Sequence, residues 1–388
     1  MRINTYLTTG IEKECYGCLS CVYSCPAGAL SLEERYDGFS YPSIDNSKCI
    51  NCSICKQVCP NDTVEKLVLP IRKTFALKHK DIETRKNSSS GGAFTAISDL
   101  LISRGYKVYG AVFDETYHYV SHVGSYKIED RNRMRISKYV ESSMIGVYPE
   151  IKKDLEAGKK VFFSGTPCQS NGLRAFLKQT YDNLFVMDFS CHGVTSPKLI
   201  SDYIDTLSNG SKIKYFAFRD NMHNKWDSSQ VPFIECSDNS NMYLLPYLYR
   251  IISRSIGLRE SCPNCKFAQN KRASDITVGD LWSIDWTCPE MKDDYGVSFV
   301  SANTEAGENL LECLHETCDI VEIEKEKAMS GVAQLNSPTN GSPINNMFWK
   351  YYKSHSIEKT LEIYGGDSLY SKLRRKPFEI IADKLKNK

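Results

Sequence analysis

From about residue 70 the apolar positions fall into short runs that alternate with segments of helical spacing. The strand candidates are KTFALKH (73–79), KVYGAVF (107–113), KVFFSG (160–165), LFVMDFS (184–190), IKYFAF (213–218), DITVGD (275–280) and GVSFVSAN (296–303). Helical patterns lie between several of them, at 91–104, 143–157, 168–179, 196–207 and 304–314. This alternation predicts an α/β domain with a mixed sheet covered by helices. Residues 218–245, with clusters of Asn, Asp and Ser, interrupt it and read as loop with excursion strands. The tail, with MFWKYY and then SLYSKLRRKPFEIIADKLKNK, predicts one or two amphipathic helices ending in a basic run with a solvated face.

The first sixty residues follow another rule. CYGCLSCVYSCP (15–26) and CINCSICKQVCP (49–60) are both C-x2-C-x2-C-x3-C-P, the run of bacterial ferredoxins. In that pattern three closely spaced thiolates hold one cubane and the fourth reaches the other. Cys15, Cys18, Cys21 and Cys59 would serve one cluster, and Cys49, Cys52, Cys55 and Cys25 the second. Each proline turns the chain away after the last ligand. Zinc sites take four ligands in two pairs, so two identical four-cysteine runs speak for clusters over zinc knuckles. The repeat also predicts two-fold pseudo-symmetry within a small α+β ferredoxin-like module.

A chain of 388 residues exceeds one ordinary domain, and the patterns divide it into a cluster module at 1–66, an α/β domain at 67–340 and a helical tail at 341–388. With 49 Lys and Arg against 47 Asp and Glu there is no basic excess to displace counterions from a nucleic acid. No stretch approaches the roughly 18 apolar residues of a membrane span, and the N-terminus lacks the apolar core of a secretion signal. A cytoplasmic location is therefore expected, where the 16 cysteines stay reduced and available as ligands.

Four stretches of the larger domain carry candidate chemistry. NSSSGGAFTAI (87–97) sets hydroxyls and glycines before an amphipathic helix, either as a cradle for a pyrophosphate or as an N-cap with a flexible turn. SGTPCQ (164–169) and SCHGV (190–194) each end a strand candidate, where α/β sheets place ligands. With CPNCKFA (262–268) they supply Cys168, Cys191, Cys262 and Cys265, enough thiols for a third iron–sulfur cluster. The alternative is two buried apolar cysteines and a separate redox or zinc pair.

Taken in order, RISKYVESSMIGVYPEIKKDLEAGKKVFFSGTPCQSNGLRAFL (135–177), CHGVTSP (191–197), FRDNMHNKWDSS (218–229) and SCPNCKFAQNKRASDITVGDLW (261–282) resemble the coenzyme F-420 hydrogenase/dehydrogenase beta-subunit family. The likeness runs over most of residues 70–340, and a two-cluster module is a common attachment there. It implies a flavin-binding domain with FAD as cofactor and favours the four-thiol cluster, since TPC, CHG and CxxC are the family's cysteine positions. It makes Ser89, Ser90, Gly91 and Gly92 candidates for FAD phosphate contacts, and Lys138, Tyr139 and Ser142, with Thr166, candidates for the flavin site. Lys225 stands before Trp226 where a glycine is expected, and SNGLRAF is looser than the usual apolar stretch. Both departures leave the substrate open.

The expected function is an iron–sulfur flavoprotein oxidoreductase. Electrons would pass between the 4Fe-4S clusters and FAD, and from there to or from a reducible substrate. By resemblance that substrate is the deazaflavin coenzyme, a tetrapyrrole or a metabolite, some relatives belonging to surface-polysaccharide pathways. The external redox partner would be a ferredoxin or the deazaflavin coenzyme. The alternative is a non-catalytic electron-transfer subunit of a larger complex. Acid–base candidates are His192, beside Cys191, and Lys138. A histidine satisfied by its neighbours is the plainer reading of His192. Cys236, Cys288, Cys313 and Cys318 fit no ligand spacing and read as ordinary buried thiols.

Overall fold

The computed structural model describes residues 5–208, 210–222, 225–226, 232–237, 241–243, 247–367 and 371–376. The basic run from 377 onward, and positions 223, 224 and 227–229 of FRDNMHNKWDSS, lie outside the described residues.

The N-terminal unit is two cysteine-rich loops around a hairpin of β1 (Leu30–Glu34) and β2 (Ser40–Ile44), paired antiparallel. Each loop winds into a single helical turn, Ser20–Tyr23 and Ile54–Gln57. The sequence repeat extends to the backbone. Gly17 and Leu19 have φ of 68° and 64°, and their counterparts Asn51 and Ser53 have 57° and 62°. Two left-handed residues in each C-x2-C-x2-C run reverse the chain tightly, a conformation that side-chain-bearing residues seldom adopt. Pro60 opens the helix Pro60–Leu67 at its first position, where a missing N–H costs nothing.

A short ladder of β3 (Leu69–Pro70) with β12 (Lys271–Arg272) joins this unit to the larger one. The larger sheet has the order β15-β4-β14-β13-β8-β7-β5-β6. Its strands are β4 (Lys73–His79), β5 (Tyr106–Phe113), β6 (Val120–Ser125), β7 (Lys160–Ser164), β8 (Leu184–Phe189), β13 (Ile276–Asp280), β14 (Ser298–Ala302) and β15 (Cys318–Glu322). The inner four, β5, β7, β8 and β13, run parallel, and antiparallel strands flank them on both sides. Six of the seven strand candidates take their places here. The seventh, β9 (Ile213–Ala217), pairs instead with β10 (Phe233–Cys236), which pairs with β11 (Asn241–Tyr243), in a separate three-stranded sheet. The predicted helices form at Ala93–Ser103, Val147–Glu156, Pro167–Leu177, Pro197–Ser208 and Glu305–Glu312.

Packing follows the period of two. On β7, Phe162 enters the core beneath Ala93–Ser103, while Val161 and Phe163 enter the opposite one beneath Val147–Glu156 and Pro167–Leu177. The tail differs from a solvated appendage. Its helices Asn345–Tyr352 and Ile357–Gly365 bury Phe348, Trp349, Leu361 and Ile363 in a third core with Leu199, Ile204, Leu248 and Phe216. Among the unassigned cysteines, Cys236, Cys288 and Cys318 are buried as expected, whereas Cys313, on the outer side of a surface helix end, is exposed. Among the described residues no helix is long and apolar enough to cross a membrane.

Candidate functional site

The carboxyl ends of the parallel strands open into a cavity of about 540 Å³, within the range of cofactor sites. Ser164–Thr166 follow β7, Phe189–Val194 follow β8, and Val278–Asp280 end β13, so the cavity occupies the place where open α/β sheets bind ligands. The sequence candidates Ser89, Ser90, Gly92, Lys138, Tyr139, Ser142, Thr166 and His192 all line it. Gly91 does not. A Cβ there would lie 2.2 Å from the Leu77 carbonyl and 2.6 Å from the Ser298 amide, so its bareness lets the turn press onto β4 and β14.

The cavity wall holds polar atoms that find nothing within the chain. Ser90 Oγ, Thr95 Oγ1, His122 Nδ1 and Arg135 Nε are buried without a hydrogen-bond partner. Each lies on a lining residue. Buried polar groups are normally satisfied, so this set fits an extended polar ligand such as the pyrophosphate and ring edges of a dinucleotide. Other hydroxyls are already used. Ser89 Oγ accepts from the Ser137 amide at 2.7 Å, and Ser142 Oγ accepts from Gln169 Nε2 at 3.0 Å. Thr166 caps the helix Pro167–Leu177 in a capping box with Gln169, whose Oε1 accepts from the Thr166 amide at 2.9 Å.

Lys138 brings a cation to the cavity. Its Nζ donates to the carbonyls of Arg135 at 2.9 Å and Ile136 at 3.2 Å. Burial, reinforced by Arg133, lowers its pKa to about 7. The stretch that presents it is strained, because Ile136 has φ of 65°, a region hostile to β-branched side chains. His192 Nε2 lies 3.1 Å from the Ile252 carbonyl, so that nitrogen carries the proton and burial lowers the pKa of the ring. His122, which the sequence reading missed, also lines the cavity. Its Nε2 donates to the Ser164 carbonyl at 3.0 Å, and burial pushes its pKa down to about 4, which leaves Nδ1 as an acceptor. At the rim, Trp226 stacks on Trp282 with ring centroids 4.5 Å apart, and its indole N–H reaches Asp280. Lys225 beside it pairs with Asp294 at the surface.

The twelve ligand candidates gather in separate places. Burial pushes the Cys21 thiol well above its ordinary value, and Cys18, Cys15 and Cys59 add to the rise, so these four stand together. Cys55 is raised by burial and then by Cys52 and Cys25. Cys52 is exposed, while Cys49 is half-buried with its Sγ 3.8 Å from Asn51 Oδ1. Cys168, Cys191, Cys262 and Cys265 line a second, smaller cavity behind the first. Burial raises the Cys168 thiol, with Cys265, Cys191 and Cys262 adding to it, and pushes Cys191 up to about 12. Among the described residues no set of three or more His, Cys, Asp or Glu converges on a point that would hold a single metal ion. A cubane makes a different demand, since each thiolate bonds its own iron at a separate corner. Backbone amides already point at two sulfurs, Ala29 at Cys25 and Val194 at Cys262, at 3.3 and 3.5 Å.

Two walls connect these places. Cys191, His192, Gly193, Val194 and Thr166 line both the large cavity and the four-thiol cavity. Tyr16 lines both the four-thiol cavity and the pocket of Cys15, Cys18, Cys21 and Cys59. Its ring packs edge-on against Phe267 at 4.8 Å. The sequence flags Tyr16 only as the residue between a ligand and a glycine, so its position shows up first in the fold.

A dicluster module fixed to an α/β domain, with thiols and a cofactor-sized cavity at its strand ends, defines an iron–sulfur protein of the oxidoreductase class. Residues 158–327 belong to the family defined by the C terminus of the coenzyme F420 hydrogenase/dehydrogenase beta subunit, and residues 14–63 match the 4Fe-4S dicluster domain. The coenzyme F420-dependent sulfite reductase of Methanocaldococcus jannaschii is 28% identical over 90% of this chain and 54% of its own length. The chain thus spans about half the length of that curated relative. Subunit I of the F(420)H(2) dehydrogenase of Methanosarcina mazei is 40% identical over 47 residues, 12% of this chain and 25% of its own. A chain of the F420-reducing [NiFe] hydrogenase complex from Methanosarcina barkeri matches at a TM-score of 0.43 and 15% identity, covering 69% of this chain and 91% of that one.

Proposed function

We propose that this chain is an iron–sulfur flavoenzyme that exchanges electrons between its N-terminal clusters and FAD, and from there with a reducible small molecule in a reducing compartment such as the cytoplasm. The observation that carries the reading is the wall shared by the four-thiol cavity and the large cavity, built from Cys191, His192 and Thr166. Cys15, Cys18, Cys21 and Cys59 would hold one cluster, and Cys25, Cys49, Cys52 and Cys55 the other. Cys168, Cys191, Cys262 and Cys265 would hold a third. Ser89, Ser90, Gly92, Lys138, Tyr139 and Ser142 would hold FAD. When bound, clusters supply single electrons and a flavin accepts or releases a pair, so their adjacency joins one- and two-electron chemistry.

The chain's own residues set the conditions. Lys138 presents a proton on Nζ toward the cavity, poised to offset negative charge there. His192, held through Nε2 by Ile252, is fixed between the two cavities and orients the CHG turn. Tyr16 separates the pocket of Cys15, Cys18, Cys21 and Cys59 from the four-thiol cavity, which orders the relay. Electrons would enter at the set containing the exposed Cys52, pass to the Cys15 set, and cross to the third cluster beside the flavin. An external ferredoxin or the deazaflavin coenzyme would serve as redox partner, and the substrate would be that coenzyme or a metabolite. A second reading makes the chain an electron-transfer subunit. It draws on the sulfite reductase, nearly half of whose length lies outside the match.

Anaerobic purification with iron, sulfide and flavin assay tests the leading reading, which expects about twelve irons and one FAD per chain. Flavin reduced by a small two-electron donor without any partner would exclude the subunit reading. Cys262→Ala should leave the eight N-terminal thiols loaded and stop their electrons from reaching flavin. Flavin reduction through the clusters that survives this change would overturn the third cluster.

A further inference from the structure

The four-thiol cavity contains a charge that nothing in the chain accounts for. Arg272 lines it together with Cys168, Cys191, Cys262 and Cys265. The side chain is buried to 1% exposure, and both Nε and Nη2 lack any hydrogen-bond partner. Its single bond is from Nη1 to the Phe267 carbonyl at 3.2 Å. Asp188, also fully buried, approaches no nearer than 3.9 Å, beyond hydrogen-bond reach, and its Oδ1 is taken by Thr277 at 2.6 Å. A guanidinium is always charged, carries five donors and is costly to bury with its donors unmet. Were Arg272 only a partner for Asp188, the pair would close to a forked contact, as Arg259 and Glu141 do at 2.7 and 2.9 Å.

We propose that Arg272 is a positioning and tuning residue for the third iron–sulfur cluster, donating its two free N–H groups to sulfur and raising the cluster's reduction potential. The inference rests on the reading of these four thiols as a cluster site. On accepting one electron from the N-terminal clusters, without a proton, such a cluster gains one unit of negative charge. A fixed cation in the same dry cavity stabilises that reduced form more than the oxidised one, and N–H···S bonds act in the same direction. The location serves the relay, because a raised potential draws electrons out of the module toward the cavity. The short β3–β12 ladder holds the residue, with Arg272 opposite Leu69, so the linker that joins the two units also carries the charge.

The test is an EPR-monitored redox titration of anaerobically purified full-length protein, comparing wild type with Arg272→Gln and Arg272→Lys. In Arg272→Gln the reduced-to-oxidised ratio of the third cluster at a fixed potential should fall at least tenfold, a shift of about 59 mV to lower potential for a one-electron couple. The two N-terminal clusters should keep their potentials. Arg272→Lys keeps the charge and loses the fork, so its shift should be smaller. Should Arg272→Gln lose the third cluster, Arg272→Lys must retain it; loss in both would make Arg272 a packing residue and overturn the proposal. An unmoved third potential in Arg272→Gln overturns it as well. A wild type with about eight irons and no third signal would instead overturn the four-thiol reading itself.

Discussion

Lys138 offers a pH test of the cavity's ligand that does not require turnover. In the free protein its pKa falls from 10.5 to about 7, chiefly because burial disfavours the cation. Two of its three ammonium protons have carbonyl partners, at Arg135 and Ile136, which leaves one for the cavity. An anionic ligand placed there favours the cation and lifts the pKa back toward its ordinary value. Above pH 7 binding must therefore take up a proton, and affinity should fall by up to tenfold per pH unit, about 1.4 kcal/mol each. From pH 7 to pH 9 the dissociation constant of FAD should rise by up to about a hundredfold. Stability of the free protein moves the other way. The fold binds the Lys138 proton more weakly than the unfolded chain does. The lysine's favourable contribution is therefore complete above pH 10.5 and is lost as pH falls through about 7. Calorimetric titration of flavin-free protein with FAD, in buffers from pH 6 to 9, reads the first effect, with Lys138→Met as control. A flat wild-type profile, or an equal slope in Lys138→Met, refutes the assignment.

Two further outcomes test the frame around the site. Gly91→Ala puts a methyl group 2.2 Å from the Leu77 carbonyl, and since both neighbours are sheet backbone, the fold should lose about 1–3 kcal/mol or more in urea unfolding, with flavin affinity falling alongside. Arg259→Met leaves Glu141 buried without its bidentate partner and should cost about 3–5 kcal/mol; Glu141→Gln in the same chain should recover much of that, as measured by thermal unfolding of the double variant.

How much of this was legible depended on whether the cause was local. Cysteine spacing is local, and the two loops fold with matching left-handed residues at Leu19 and Ser53. Buried parallel strands announce themselves too, since β8 and β14 must be apolar on both faces. The strands that escaped notice, β6 and β15, are edges paired on one side only, and VSHVGS and CDIVE carry too many polar residues to signal a strand. Tyr16, Arg259 and Arg272 owe their roles to partners more than eighty positions away. Gly91 was legible as a glycine but not as a packing surface, because the strand that demands its bareness is two hundred residues downstream.

The joint between the two units explains why so many buried polar contacts were placed there. Arg259, fully buried in the larger domain, donates to the Cys15 carbonyl at 2.8 Å and the Ser40 carbonyl at 2.9 Å while its guanidinium lies 4.3 Å from the Tyr41 ring. Ser20 Oγ donates to the Gly172 carbonyl at 2.6 Å, and Lys266 Nζ to the Asn61 carbonyl at 2.8 Å. A Cβ at Gly172 would meet Cys18 Cβ at 2.9 Å, so the helix after TPC approaches a ligand loop as closely as backbone allows. A flexible tether would have brought the units together at less cost in buried charge. It would not have held a distance, and electron transfer slows steeply as its centres separate. Contacts that converge on Cys15, Cys18 and the residue after Cys265 fix the module where a relay through Tyr16 and Phe267 needs it. The same contacts would be superfluous in a protein whose clusters exchanged electrons only with soluble partners.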